Sequence, residues 1–217
     1  MSNYNKVVLQ RNKLLKELYL HPDYREVLDV LDMQLVQYGS ALIQRRQTFA
    51  EELGKIVHRI HSQLSGGQEE MELKYEPNVT KDAFAQMLFA NRERDMRLKT
   101  TATGPHRDDI SFVVNGVDIR KFGSQGQQRT AALSLKLSEI ELVKRLIGDT
   151  PVLLLDDVLS ELDSGRQNYL LNSIENIQTL ITCTGLDEFV NHRFSINRIY
   201  KVTDGSVTVE NKQEADR

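Results

Sequence analysis

The sequence predicts an α/β fold with a helical lobe at its N-terminal end. Two observations carry this reading. Apolar residues in the first third recur at helical spacing, and beyond about residue 100 short apolar runs alternate with helical segments. Strands alternating with helices build a layer with a parallel component. The change of character divides the chain into residues 1–99, mainly helical, and 100–217, the α/β part.

Residues 6–19 read as a short helix carrying Val7, Val8, Leu14, Leu15 and Leu18, stopped at His21-Pro22 because proline cannot continue a helix. Asp23 is placed as N-cap of a much longer helix. Its apolar stripe is Val27, Leu31, Leu35, Tyr38, Leu42, Phe49, Leu53, Ile56 and Ile60, interrupted near Arg45 and Arg46. About 40 residues would span roughly 60 Å, long enough for a projecting arm; the alternative is a helix packed along a larger body. Ser65-Gly66-Gly67 ends it. Residues 71–75 alternate at period two, as a half-buried strand does. Thr80 can cap a further helix through Phe84, Met87, Leu88 and Asn91 toward Lys99. Residues 110–114 and 117–119 flank Asn115-Gly116, a hairpin signal because both turn residues accept positive φ. Residues 126–147 follow as a helix apolar on most sides and therefore buried. Then come strand 152–155, helix 163–177, strand 179–182, and a pair, 198–202 and 206–210, joined at Asp204-Gly205. The segment from Glu210 onward reads as a solvated tail.

The chain has 217 residues, 40% of them hydrophobic and 27% charged, an ordinary soluble globular mix with room for a real core. No run approaches the ~18 apolar residues of a membrane span, and the first residues lack the apolar stretch of a secretory signal. A lone cysteine, Cys183, excludes an internal disulfide framework and a multi-cysteine zinc site. A formal charge of −3 argues against a strongly basic nucleic-acid binder but leaves room for a local basic face. These features give a cytoplasmic protein as the expectation.

The strongest chemical signal spans residues 151–163. Four apolar residues followed by Asp156-Asp157 describe a buried strand delivering carboxylates at its C-terminal end, where open α/β sheets bind ligands. In this Walker B arrangement Asp156 holds Mg²⁺ beside nucleotide phosphates, and Asp157 polarises the attacking water. The competing reading is an acid that caps the next helix. Ser160-Glu161-Leu162-Asp163 extends the match, because Asp-Asp-x-x-Ser-x-Leu-Asp resembles the Walker B and D-loop spacing of ABC-type ATPases. Upstream, Gly123-Ser124-Gln125-Gly126-Gln127-Gln128-Arg129 opens a long helix and is similar to their signature motif, with Gln125 where glycine is commoner. A small hydroxyl, a glycine backbone and a helix N-terminus suit an anion. In the ABC architecture that anion is the γ-phosphate held by the opposite subunit.

Thr103-Gly104-Pro105-His106-Arg107-Asp108-Asp109, the Ser-Gln-Gly-Gln-Gln-Arg run and residues 153–166 together resemble the RecF family, DNA-binding relatives of the structural-maintenance-of-chromosomes ATPases. The resemblance covers essentially the whole chain. It implies the C-terminal half of an ABC-type ATPase head with an attached helical lobe. It further implies ATP and Mg²⁺ between two heads, an ATP-dependent homodimer on duplex DNA at single/double-strand junctions, and recombination mediator proteins as partners. A role in recombinase loading at gaps and in the SOS response follows from the same resemblance. On it, Asp156 is the metal residue and Asp157 the catalytic carboxylate. Ser124, Gly126 and Gln127 meet the partner's γ-phosphate, and Ser160 and Asp163 line the dimer interface. Two other readings stand beside this one: a repair scaffold whose ATP-switched dimer does not hydrolyse, and another chromosomal ATPase of the same class.

The sequence also departs from the pattern. It contains no Gly-rich loop ending in Gly-Lys-Ser/Thr, the element that cradles α- and β-phosphates, which implies a C-terminal portion of a longer protein, inactive by itself. Cys183 or Thr184 stands where ABC transporters present a switch histidine; Cys183 reads as a small buried residue rather than a nucleophile. Leu64-Ser65-Gly66-Gly67-Gln68 matches the signature pentapeptide literally, yet acidic, strand-like residues follow it, so its glycines read as a helix stop. His58 and His61 could share a metal face, but with no third ligand in view exposed helix histidines are the expectation. Arg92, Arg94, Arg97, Lys99, Arg107, Arg120 and Lys121 could form a DNA-facing strip or a salt-bridged surface. His106 and Arg107 sit in a constrained Gly-Pro loop.

Overall fold

A computed structural model describes residues 2–18, 21, 24–174, 176–184 and 196–210. Helices α1 (Ser2–Glu17) and α2 (Arg25–Leu64) pack side by side. Tyr4, Val7, Leu14 and Leu15 meet Leu28, Leu31, Leu35 and Ile43 in one core, to which Phe84 and Leu88 add their rings and chains. Each large apolar side chain so buried stabilises the fold by about 1.5–3 kcal/mol relative to exposure. The expected cap, Asp23, lies outside the described residues; α2 opens after Tyr24 without a side-chain cap bond.

The stripe that the sequence predicts along α2 is shifted. Leu31, Leu35, Leu53, Ile56 and Ile60 are buried, but Val27, Tyr38 and Phe49 are 49%, 37% and 44% exposed, and Leu28, Ile43, Ala50 and Val57 are buried instead. Small residues explain the shift, because closest approach needs no side chain. A Cβ on Gly39 would stand 2.4 Å from Phe84 Cε1 and 3.0 Å from Tyr4 Cε2. Nor does α2 project as an arm, since its buried residues run from Leu28 to Leu64.

Strand β1 (Met71–Glu76) lies on α2, and helices α3 (Phe84–Ala90) and α4 (Arg92–Leu98) follow. The single helix predicted here breaks at Asn91, whose Nδ2 donates to Met87 O at 2.9 Å and Thr103 Oγ1 at 3.0 Å. Thr80 accepts from Ala83 N at 3.4 Å in the turn ahead of α3. Strand β2 (Asp109–Val114) runs antiparallel to β1 with Met71 opposite Val114, and turns through Asn115 and Gly116 (φ 48° and 82°) into β3 (Val117–Asp118). A short α5 (Ile119–Phe122) leads to α6 (Gln125–Ile147), which packs on α2. The helix predicted as apolar on most sides is buried on one side only, and that side is partly polar. Thr130, Ser134 and Ser138 share it with Leu133, Leu137 and Leu142. Their hydroxyls donate to Gly126 O, Thr130 O and Ser134 O, the local bonding that lets hydroxyls enter a helix packing face.

A charged hub, invisible to apolar periodicity, ties this body together. Arg11 is fully buried; its Nε donates to Asp32 at 2.6 Å, and its Nη1 to Asp95 at 2.7 Å and Thr101 Oγ1 at 2.9 Å. Arg92 takes the other Asp32 oxygen at 2.6 Å.

The chain forms two compact units, Met1–Asp149 and Thr150–Arg217. The division by contact falls after α6 rather than at 99/100, because β1 pairs with β2 and α6 lies along α2. In the second unit β4 (Leu153–Asp156) is followed by α7 (Ser164–Ser173) and by β5 (Thr179–Thr182), which pairs parallel to β4, as expected. Strands β6 (Ile199–Thr203) and β7 (Ser206–Glu210) form a hairpin through Asp204-Gly205. The strand predicted as buried is covered on one face only: Leu155 is 7% exposed, whereas Val152 and Leu154 are 55% and 71% exposed. No third strand pairs with β4 and β5 among the described residues. The tail after Glu210 lies outside the described residues.

Candidate functional site

Within the second unit, three of the sequence-predicted residues, Asp156, Asp157 and Ser160, come together at the C-terminal end of β4. Asp156 is its last residue and Asp157 the next, with φ 51°. That left-handed conformation is uncommon for a non-glycine residue and enriched in Asp and Asn, and it turns the chain sharply at the strand end. Thr182 closes β5 directly opposite Asp156. Its hydroxyl donates to Asp156 Oδ1 at 2.5 Å and accepts from Asp157 N at 3.1 Å. Ser160 Oγ donates to Asp157 Oδ1 at 3.0 Å and reaches Asp157 O at 2.9 Å. Both carboxylates are exposed, so each keeps acceptor capacity for a ligand. Asp163 caps α7: Oδ1 accepts from Arg166 N at 3.0 Å and Oδ2 lies 3.3 Å from Arg166 Nη1. The helix-cap reading of a strand-end acid thus applies to Asp163 and not to Asp156 or Asp157.

Mg²⁺ usually keeps several waters and takes one or two carboxylates beside substrate phosphates. The Asp156–Asp157 pair fits that demand, and no group of three or more candidate metal ligands occurs among the described residues. Cys183 is half-buried. Thr182 is a residue that sequence reasoning missed; its signal is the strand register that sets it opposite Asp156.

In the first unit, Ser124, Gly126 and Gln127 start α6 as a reciprocal capping box. Ser124 Oγ accepts from Gln127 N at 3.2 Å, and Gln127 Oε1 accepts from Ser124 N at 3.0 Å. The amides of Gln125 and Gly126, orphan donors of a first turn, meet no partner among the described residues. A Cβ on Gly126 would approach only Ser124 Oγ, at 3.9 Å. Nothing inside the unit therefore requires glycine there, and the turn stands open to a close-approaching anion.

The literal signature match is a helix end. Ser65 is the C-cap of α2, Gly66 and Gly67 have φ 63° and 77°, and Gly67 N donates to Ser62 O at 2.7 Å. His61 corrects the expectation of exposed histidines: it is fully buried, with Nδ1 3.0 Å from Ser134 Oγ and Nε2 3.2 Å from Glu69 Oε2. His58 is exposed, its Nδ1 3.3 Å from Met71 O.

The Gly104–Asp109 run is a clamp. Gly104, at φ 135°, leaves no room for a Cβ, which would stand 2.4 Å from Tyr4 Oη. His106 bridges Tyr4 Oη at 2.8 Å and Thr101 O at 2.9 Å. Burial pushes its imidazole below the usual histidine range, the Arg107 charge adds to this, and the Thr101 bond opposes it. Asp108 binds Arg46 Nη1 at 2.8 Å, Tyr75 Oη at 2.5 Å and Asn78 N at 3.0 Å. Burial pushes the Tyr4 and Tyr75 phenols up, and the Asp108 carboxylate reinforces the Tyr75 shift.

The basic strip resolves in part into ion pairs. Arg92 pairs with Asp29 and Asp32, Arg120 with Asp109, and Lys121 with Asp118. Arg94, Arg97, Lys99 and Arg107 are exposed.

Comparison with known proteins finds RecF proteins among the relatives of this chain. The chain is 58% identical over 211 residues to the DNA replication and repair protein RecF of Lachnospira eligens, covering 96% of the chain and 58% of the relative. Against the RecF of Clostridium perfringens it is 42% identical over 209 residues, covering 94% of the chain and 57% of the relative. Among solved structures, the recombination mediator protein RecF-ATP of the RecFOR pathway superposes with TM-score 0.84 at 34% identity, covering 96% of this chain and 57% of that one. No family model matches. The chain spans a little over half the length of the relatives it matches. Over the share of these relatives that it spans, the chain is similar to RecF proteins in both sequence and fold.

Proposed function

We propose that this chain supplies the acid-bearing strand and the signature helix of a RecF-type ATPase acting in DNA replication and repair. In this reading two heads close on ATP and Mg²⁺ while bound to DNA, in concert with recombination mediators. The observation that carries it is the exposed Asp156–Asp157 pair at the end of a parallel strand, oriented by Thr182 and Ser160. Asp156 is the residue for Mg²⁺, which when bound screens the phosphate charge. Asp157 is placed to accept a proton from attacking water. Ser124 and the open amides of α6 face the γ-phosphate of nucleotide on the partner subunit, and Ser160 and Asp163 lie along the interface. The ATP-bound relative and the unfilled first turn of α6 support this assignment.

Two serines test it in a full-length RecF carrying this sequence. Ser124→Arg puts a long cation where phosphate should dock, and it abolishes ATP-dependent dimerisation in sedimentation while single-head nucleotide binding persists. Ser65→Arg falls in a helix end, where it loses the local bond from Glu69 N at a cost of about 0.5–1.5 kcal/mol, and it weakens dimerisation far less than Ser124→Arg does. Dimer loss in Ser65→Arg, with Ser124→Arg still dimerising, overturns the assignment.

A further inference from the structure

We infer that Glu69, held by the buried His61, is a positioning residue that fixes the Gln127 amide and through it the opening turn of α6. The inference rests on the reading of that turn as phosphate-facing. Its geometry lies wholly within the first unit. Ser134 Oγ gives its proton to Thr130 O at 2.7 Å, so His61 Nδ1 donates to Ser134. The other ring nitrogen lies 3.2 Å from Glu69 Oε2 and donates to it in the doubly protonated ring, and Glu69 Oε1 accepts from Gln127 Nε2 at 2.9 Å. A carboxylate only accepts, so it selects the NH₂ end of the Gln127 amide. The carbonyl end is thereby turned to Ser124 N, 3.0 Å away.

The literal signature pentapeptide acquires a use in this arrangement. Its two left-handed glycines reverse the chain after α2, and Ser65 Oγ accepts from Glu69 N at 3.2 Å. Glu70 N is tied to Asn115 Oδ1 at 2.9 Å. Glu69 is thus aimed at α6 from both sides. With the capping box closed, the Ser124 hydroxyl and the amides of Gln125 and Gly126 keep one orientation toward a ligand.

Amide hydrogen exchange on the 217-residue chain tests this without nucleotide. Glu69→Ala should speed exchange at the Ser124 amide about five- to tenfold, the scale of one lost hydrogen bond, leaving α2 and β1 amides at wild-type rates. Glu69→Gln should restore protection, because its carbonyl can accept from Gln127 while its amide donates to His61 Nε2. Unchanged Ser124 exchange in Glu69→Ala, loss of protection spreading through α2 and β1, or failure of Glu69→Gln to restore it overturns the inference. In a full-length RecF, Glu69→Ala should weaken ATP-dependent dimerisation and add nothing on a Gln127→Ala background; an additive loss overturns the route through Gln127. Should Ser124→Arg leave dimerisation intact, the phosphate reading of the turn fails while the exchange result stands.

Discussion

Asp156 and Asp157 are adjacent and chemically alike, yet the backbone separates their roles. Asp156 ends a strand in extended conformation with one oxygen taken by Thr182, whereas Asp157 stands at φ 51° with Ser160 on its Oδ1. Asn tolerates the left-handed region nearly as well as Asp, so Asp157→Asn keeps the turn and removes only the base. In a full-length RecF it should retain ATP binding, slow single-turnover hydrolysis by about a hundredfold or more, as loss of a general base does, and prolong the ATP-bound dimer. Asp156→Asn should instead weaken Mg²⁺-dependent nucleotide binding in calorimetry. Equal turnover in both variants and wild type would refute the division. The strand-end position of the acids was legible because an apolar run ending in two carboxylates, weak by itself, is extended by Ser160 and Leu162-Asp163. Thr182 was not, because its significance arises from strand pairing across 26 positions of chain.

At the scale of elements, the long helix shows what periodicity reads and what it omits. Apolar spacing predicts α2 as a continuous helix and finds five of its thirteen buried residues. It misses Gly39 and Ala50, where burial reflects how near a neighbour comes rather than how apolar the residue is. Gly39→Ala should therefore destabilise the chain by about 1–3 kcal/mol through overpacking against the Phe84 ring. The same change at Gly54, where a Cβ would meet Leu73 O at an ordinary 3.6 Å, should stabilise by up to about 1 kcal/mol through helix propensity. Urea midpoints of the two variants decide the matter; the same sign in both would contradict the packing account. The break at Asn91 was likewise illegible, since the competing partner, Thr103, sits in a loop beyond α4.

For the molecule as a whole, the fold class and the parallel β4–β5 pair follow from the order of elements, whereas the unit boundary does not. That boundary depends on β1 finding β2 and α2 finding α6. Stability should also respond to acid through His106. Burial holds its imidazole below the ordinary value of 6.5. The unfolded chain binds that proton first as pH falls, so the unfolded state holds more protons in the window just below 6.5. The contribution is complete above about pH 6.5 and is lost as pH drops through the depressed folded value. His106→Gln cannot titrate and should flatten the urea midpoint between about pH 5 and 7. Asp109 and Asp118 are also held low, chiefly by Arg120 for the former and by Lys121 against a desolvation cost for the latter. Both lie below the ordinary carboxylate range and so outside that window. An unaltered slope in His106→Gln would remove histidine as the cause.

The buried Arg11 hub also constrains the order in which the chain folds. Its guanidinium reaches Asp32 across 21 positions, Asp95 across 84 and Thr101 across 90. The α1–α2 pair can close early, because nearby contacts form with little loop-closure cost. Until α4 and the following loop arrive, however, two of the guanidinium's three partners are missing, and a cation cannot be sealed away from water unpaired. Water must leave that site last, so docking of residues 92–103 onto the helical pair completes folding of the first unit rather than starting it.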